Sequence, residues 1–147
     1  MKLRKKLLGA AIAGTLVIMS PSAIQSASAF QKATPDSPTH FRTSALDSLA
    51  DIQKDINDCR IALAKGGMFK LLANITTIEV HLGMLQSLVP QPSYAKAYKT
   101  KLAALDTAVS KFVSGTSSKA SVSQSVVNLN ALERTAQSLM FTVKSIK

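Results

Sequence analysis

Apolar side chains recur along most of this chain in alternating steps of three and four. Four stretches carry the pattern. The first holds Ala45, Leu49, Ile52, Ile56, Cys59 and Leu63, and the second Leu71, Ile75, Ile78, Leu82, Leu85 and Val89. The third holds Ala95, Tyr98, Leu102, Leu105, Val109 and Phe112. The fourth runs through Val122, Val126, Leu129, Leu132, Ala136, Leu139, Val143 and Ile146. This spacing lines one side of a helix with apolar groups, as in the seam of packed helices. No stretch keeps the strict alternation of a half-buried strand.

The breaks between the stretches have their own chemistry. Gly66-Gly67 follows Lys65 and supplies the positive-φ residue that stops a helix. Pro90 and Pro92 end the second stretch, and Ser93 is placed to cap the third. Gly115 is expected to end the third, with Ser117 or Ser118 capping the fourth. Connections this short make successive helices antiparallel. The pattern therefore predicts an all-α, up-down-up-down antiparallel four-helix bundle. Its start is expected near Thr43 or Ser44, where Ser44 and Asp47 resemble a capping box.

Two segments precede the bundle. Lys2, Arg4, Lys5 and Lys6 open the chain, Leu7 to Met19 carry no charge, and Ala27-Ser28-Ala29 offers small residues for cleavage. This is the layout of a Sec-type signal peptide. The apolar run falls short of the roughly 20 residues a membrane span needs. The expected organisation is a signal peptide at 1–29, a disordered leader at 30–43 and the bundle at 44–147. The leader assignment rests on Pro35, Pro38 and a lack of periodicity. The expected location is a periplasm or the exterior.

Charge changes the picture once the signal is set aside. The chain of 147 residues has 18 basic and 8 acidic side chains, a net +10. Residues 30–147 keep 14 basic and all 8 acidic groups, hence about +6. A basic exported bundle is suited to an acidic protein or an anionic membrane surface. Lys96, Lys99, Lys101 and Lys111 concentrate that charge on the third stretch, with Tyr94 and Tyr98 interleaved, and are the candidate partner-binding residues. Nucleic acid is not an expected partner: the chain has seven aromatic residues, no Trp and no recognition motif. Cys59 is the only cysteine, so no internal disulfide forms, and its seam position reads as a buried hydrophobe.

Catalytic chemistry finds little to work with, and the protein is not expected to be an enzyme. Glu79 and Glu133 are the only glutamates and neither begins a Glu-x-x-His pair, which removes the di-iron bundle pattern. There is no H-E-x-x-H and no C-x-x-C-H. Asp47, Asp51, Asp55 and Asp58 descend the first helix, but Leu49, Ile52 and Ile56 occupy its core side. Most of these aspartates should face water, with Lys54 and Asp58 pairing at i, i+4. The nearest thing to a metal site is His81 with Met84, three residues apart, with Met140 on the fourth stretch in the same region. Imidazole and thioether suit copper, or haem between facing helices. The chain is expected to be a monomer, or a homodimer through an outer stripe of Phe69, Leu88, Val113 and Phe141.

Leu82-Gly83-Met84-Leu85-Gln86-Ser87-Leu88-Val89-Pro90 resembles the end of helix two in PsbQ-like extrinsic subunits of photosystem II. Ala104-Leu105-Asp106-Thr107-Ala108 resembles the L-D-x-A segment of helix three in that family. The resemblance spans about 30 residues and implies a four-helix bundle docking on the lumenal side of the photosystem, without catalysis of its own. Ala27-Ser28-Ala29-Phe30 resembles the plastid-import junction of diatom-like algae, which would place the protein in a plastid or thylakoid lumen. The residues themselves support an exported, non-enzymatic bundle that docks an anionic protein or membrane surface. The alternatives are a photosystem II subunit and a periplasmic haem or metal binder.

Overall fold

The computed structural model describes residues 33–147. The signal peptide, the plastid-like junction and the first residues of the leader lie outside the described residues. From Pro35 onward the chain forms four helices: α1 (Pro38–Lys65), α2 (Met68–Ser87), α3 (Pro92–Ser117) and α4 (Val122–Lys144). They pack antiparallel. The α1–α2, α3–α4 and α1–α4 pairs carry most of the packing, and of the neighbouring pairs α2 and α3 touch least. Among the described residues there is no strand.

The seams expected from the spacing form the core. Leu49, Ile52, Ile56 and Cys59 of α1, Leu85 of α2, Leu105 of α3 and Leu129, Leu132 and Leu139 of α4 are fully buried. Burying each such aliphatic side chain is worth about 1.5–3 kcal/mol, and this offsets the entropy of ordering the chain. The seams loosen at their ends: Val122 is exposed, and Leu63, Val89, Ala95, Leu102 and Val126 are only partly covered.

Helix α1 begins earlier than Ser44. Ser37 is its N-cap and its hydroxyl accepts from the His40 N–H at 3.2 Å, while Pro38 takes the first helical position. Proline suits that position because its missing N–H would be unpaired there anyway. The extra turn carries Phe41, which is fully buried between Tyr94 (ring centroids 5.1 Å apart) and Tyr98 (4.7 Å, edge to face). The Tyr98 hydroxyl donates to the Leu85 carbonyl at 2.6 Å, tying α3 to the last turn of α2. Just before α1, Asp36 clasps the α2–α3 connection. Its N–H donates to the Val89 carbonyl, its carboxylate accepts from the Val89 N–H (both 2.8 Å), and its carbonyl accepts from Gln91. Residues 36–43 are thus part of the bundle, not a disordered leader.

The turns agree in part with expectation. Gly66 ends α1 at φ 69°, and the Gly67 N–H returns to the Ala62 carbonyl at 2.9 Å. Gly115 does not end α3, which continues to Ser117; Lys119 takes the positive φ (61°) in the turn. Gly115 serves packing instead. A Cβ there would stand 2.8 Å from Nδ2 of Asn128, a buried side chain that accepts from Gln124. Neither Ser117 nor Ser118 caps α4, because the turn extends to Ser121, whose hydroxyl accepts from the Gln124 N–H. Ser93 lies inside α3, where Pro92 is the first residue and Gln91 the cap.

Phe41→Ala should cost about 3–5 kcal/mol, the range for a fully buried aromatic. Phe141→Ala, at a side chain 78% exposed, should cost less than about 0.5 kcal/mol. Urea unfolding followed by circular dichroism measures both. Equal, small losses would mean that Phe41 and its turn do not belong to the core.

Candidate functional site

Two features outside the apolar core carry charge chemistry. One is a buried cluster between α1 and α2. The other is the basic outer surface of α3.

The cluster arises from the way α1 meets α2. Ser48, Asp55 and Ala62 recur every seven residues at the edge of the α1 core face, and all three are buried. Three small or short side chains in a row give α2 room to approach. Asp55 is carried inside with its neighbours and is only 6% exposed. A carboxylate at such depth requires a compensating partner, and His81 of α2 provides it. Its Nδ1 stands 3.3 Å from Oδ2 of Asp55, and its Nε2 stands 3.4 Å from Oδ2 of Asp51. The ring thus lies between two carboxyl groups, one facing each nitrogen.

The contact to Asp55 is electrostatic, because neither Nδ1 nor the facing oxygen finds an aligned hydrogen-bond partner. Burial pushes the Asp55 carboxyl above its ordinary value, while the His81 ring acts in the opposite sense. Lys54 lies outside the cluster, paired with Asp58 at 3.2 Å in the i, i+4 contact expected of them. Asp47 and Asp51 are exposed and Asp58 partly so. The expectation of solvated aspartates therefore describes this helix except at Asp55. One turn further, Cys59 is fully buried and its thiol is pushed up to about 12 by that burial, which keeps it protonated.

The two residues singled out for metal have different surroundings. His81 is drawn against α1 and is largely covered, whereas Met84 is half exposed on the outer side of α2. Met140 packs against the core from α4, a helix whose main packing is with α1 and α3. His40, at the start of α1, is exposed. The two nitrogens of His81 face different carboxylates, so Asp51, His81 and Asp55 do not converge on a single ion. Among the described residues no three His, Cys, Asp or Glu side chains are grouped to hold a metal. The bundle axis that a haem would occupy is filled by seam side chains.

The candidate lysines are all exposed, and among the described residues none is paired with a carboxylate. They do not share one face. Lys96 and Lys99 are neighbours at i, i+3, but Lys101 follows Lys99 by two residues and projects to nearly the opposite side. Together they surround the solvent arc of α3, with Asp106 the only acid on that helix. On α1 and α2 charges balance: on α1 four aspartates meet Arg42, Lys54, Arg60 and Lys65, and α2 has Lys70 against Glu79, while α4 has Arg134 and Lys144 against Glu133. Arg60 is also used internally, donating across to Glu133 (3.0 Å) and Asn130 (3.1 Å) of α4. Two clefts of about 180 Å³ open near the ends of the bundle, one beside Arg42 and Lys147 and one beside Leu63 and Val122. Both are smaller than typical small-molecule sites.

No family model, no curated protein and no solved structure matches this chain.

The cluster has a calculable pH signature. Because folding raises the Asp55 carboxyl, the folded state holds a proton there that the unfolded chain releases. Stability from this group is complete below the ordinary aspartate value of 3.8 and declines as pH rises through the raised value. Asp55→Asn should therefore gain stability relative to the parent as pH rises from about 4 to 6. His81→Ala, which strands the buried carboxylate, should cost about 2–4 kcal/mol near neutral pH and far less in the Asp55→Asn background. Denaturation of the four proteins across pH tests both statements; additive effects with no pH trend would contradict them.

Proposed function

We propose that this chain is an exported, non-enzymatic binding protein that docks on an acidic protein surface through helix α3. The supporting observation is the unbalanced charge of that helix. Four exposed, carboxylate-free lysines stand against one acid, while the charges of α1 and α2 cancel. Free lysines on a rigid helix steer an anionic partner and set its orientation without requiring deep burial.

An acidic protein suits this surface better than a membrane. A helix that lies in a lipid interface places large apolar groups beside its cations. The exposed uncharged residues between the lysines of α3 are Ala97, Thr100, Ala103, Ala104, Thr107 and Ser110, which offer no such anchor. Their small size instead leaves the lysine side chains free to reach carboxylates on a facing protein. Export follows from the signal-like amino-terminal sequence. An acidic lumenal or periplasmic complex is a partner of the right chemistry.

The test begins with the complexes that co-purify with the protein from its own compartment. Replacing Lys96, Lys99 and Lys101 together with Glu should weaken association at least tenfold, and raising salt from 50 to 500 mM should release the parent protein. Lys54→Glu, at a lysine already paired with Asp58, serves as the charge control and should have little effect. Association that survives both the triple reversal and the salt contradicts the proposal.

A further inference from the structure

The outer face of α2 is uncharged along the length of the helix. The residues turned from the core are Phe69, Leu72, Ala73, Thr76, Val80, Gly83, Met84 and Ser87, all exposed. They run along the whole helix and include no charged residue. Phe69 is 91% exposed, and Leu72, Val80 and Met84 are each about half exposed. The contrast with α4 is direct: Phe141 is also exposed there, but it stands among Asn130, Arg134 and Gln137. Leu88 and Val113 pack against the core, so the outer stripe expected from Phe69, Leu88, Val113 and Phe141 does not exist as one surface.

We infer that this face is the interface of a homodimer in which two α2 helices pack antiparallel about a twofold axis. The argument begins with the order of side-chain sizes. Phe69 and Ser87, Leu72 and Met84, Ala73 and Gly83, and Thr76 and Val80 are each equidistant from the middle of the stripe. An antiparallel copy therefore sets Phe69, the bulkiest side chain, on Ser87, with Ala73 and Gly83 leaving room beside it. A parallel copy would set Phe69 against Phe69 and Ser87 against Ser87. A surface that complements itself under a twofold rotation is what an isologous interface requires. Gly83 supplies the space: a Cβ there would meet no atom within 4 Å.

Charge and area select the same occupant. Two copies of a basic chain repel, and they approach best where neither carries charge. The α2 face has none, and Lys70 and Glu79 at its flanks cancel. A membrane-seated helix would need cations along both flanks, and an acidic partner would need cations on the face itself. Among the described residues no helix is long and apolar enough to cross a membrane. A helix of 20 residues is roughly 30 Å long, and pairing two such faces covers roughly 600 Å² per partner, near the lower bound for a specific dimer. The dimer leaves the outer lysines of α3 free, so it carries two docking surfaces where the monomer has one.

Sedimentation velocity and light scattering on the protein as its own cell processes it test this inference. The parent should pass from one copy to two between about 1 and 100 µM, the range for a small interface. Phe69→Glu should remain monomeric with unchanged helix content. Gly83→Leu is the decisive variant. It adds apolar surface, so unspecific association would strengthen, whereas a self-complementary seam loses the space for Phe69 and should weaken at least tenfold. A parent that stays monomeric throughout overturns the inference, as does a Gly83→Leu variant that pairs as tightly as the parent. A monomer that instead binds phosphatidylglycerol vesicles through Phe69 also overturns it, by assigning the face to lipid.

Discussion

The weakest side of the bundle is the one between α2 and α3, and the structure depends on how that side is closed. Direct packing between these helices is slight. The closure is made at one end, where Tyr98 reaches from α3 to the last turn of α2 and Phe41 of α1 sets its ring edge-on to Tyr98. A buried phenol demands a hydrogen-bond partner, and the Leu85 carbonyl at the end of α2, which otherwise accepts only the long 3.4 Å bond from the Leu88 N–H, has room for a second donor. Each satisfies the other. Asp36 completes the arrangement by holding Val89 and Gln91, so the start of α1 ties down the connection between α2 and α3. Without that junction α3 would be held by α4 alone along most of its length. The short helix-to-helix turns set the order of the elements, but this polar and aromatic knot sets their enclosure.

Much of this was legible in the spacing of apolar residues. The steps of three and four located all four helices, Gly66 marked a true end, and Pro90 lies just past the end of α2, while Pro92 opens α3 instead of ending α2. What the spacing missed were positions where a residue acts against its usual preference. Proline near the start of a segment suggests irregular chain, yet Pro38 behind Ser37 opens a helix. Phe41 continues the α1 seam at a step of four from Ala45, a signal that prolines nearby concealed. Gly115 reads as a stop but is present because α4 approaches it closely. Asp55 is the clearest case. A search for apolar seams omits it, although Ser48, Asp55 and Ala62 at sevens describe a face of small residues as regularly as the leucines describe the core. Its partner His81 lies on another helix, and no local pattern announces a cross-helix pair. The lysines of α3 were legible as a set, whereas their spread around the helix required its actual exposure.

The two outward surfaces divide the work. Helix α3 holds the uncompensated positive charge and α2 the uncharged apolar face, and they demand different occupants. Electrostatic docking tolerates water and acts at a distance, while apolar docking requires contact and shape. On the proposed reading, separating them onto different helices would let one chain associate with itself and with an anionic partner at once. The buried His81 cluster belongs to neither surface. It fixes α2 against α1, and through that contact it holds the apolar face of α2 outward.

The central claim is that the exposed lysines of α3 meet carboxylates of another protein. Zero-length carbodiimide cross-linking in the intact compartment, read by mass spectrometry, tests it most directly, because the reagent joins only amines and carboxylates already in contact. The account predicts cross-links from Lys96, Lys99, Lys101 or Lys111 to acidic residues of a partner, and none to a partner from Lys54, which is already paired with Asp58. Partner cross-links that fall elsewhere on the chain, with the α3 lysines joined to nothing, would contradict it.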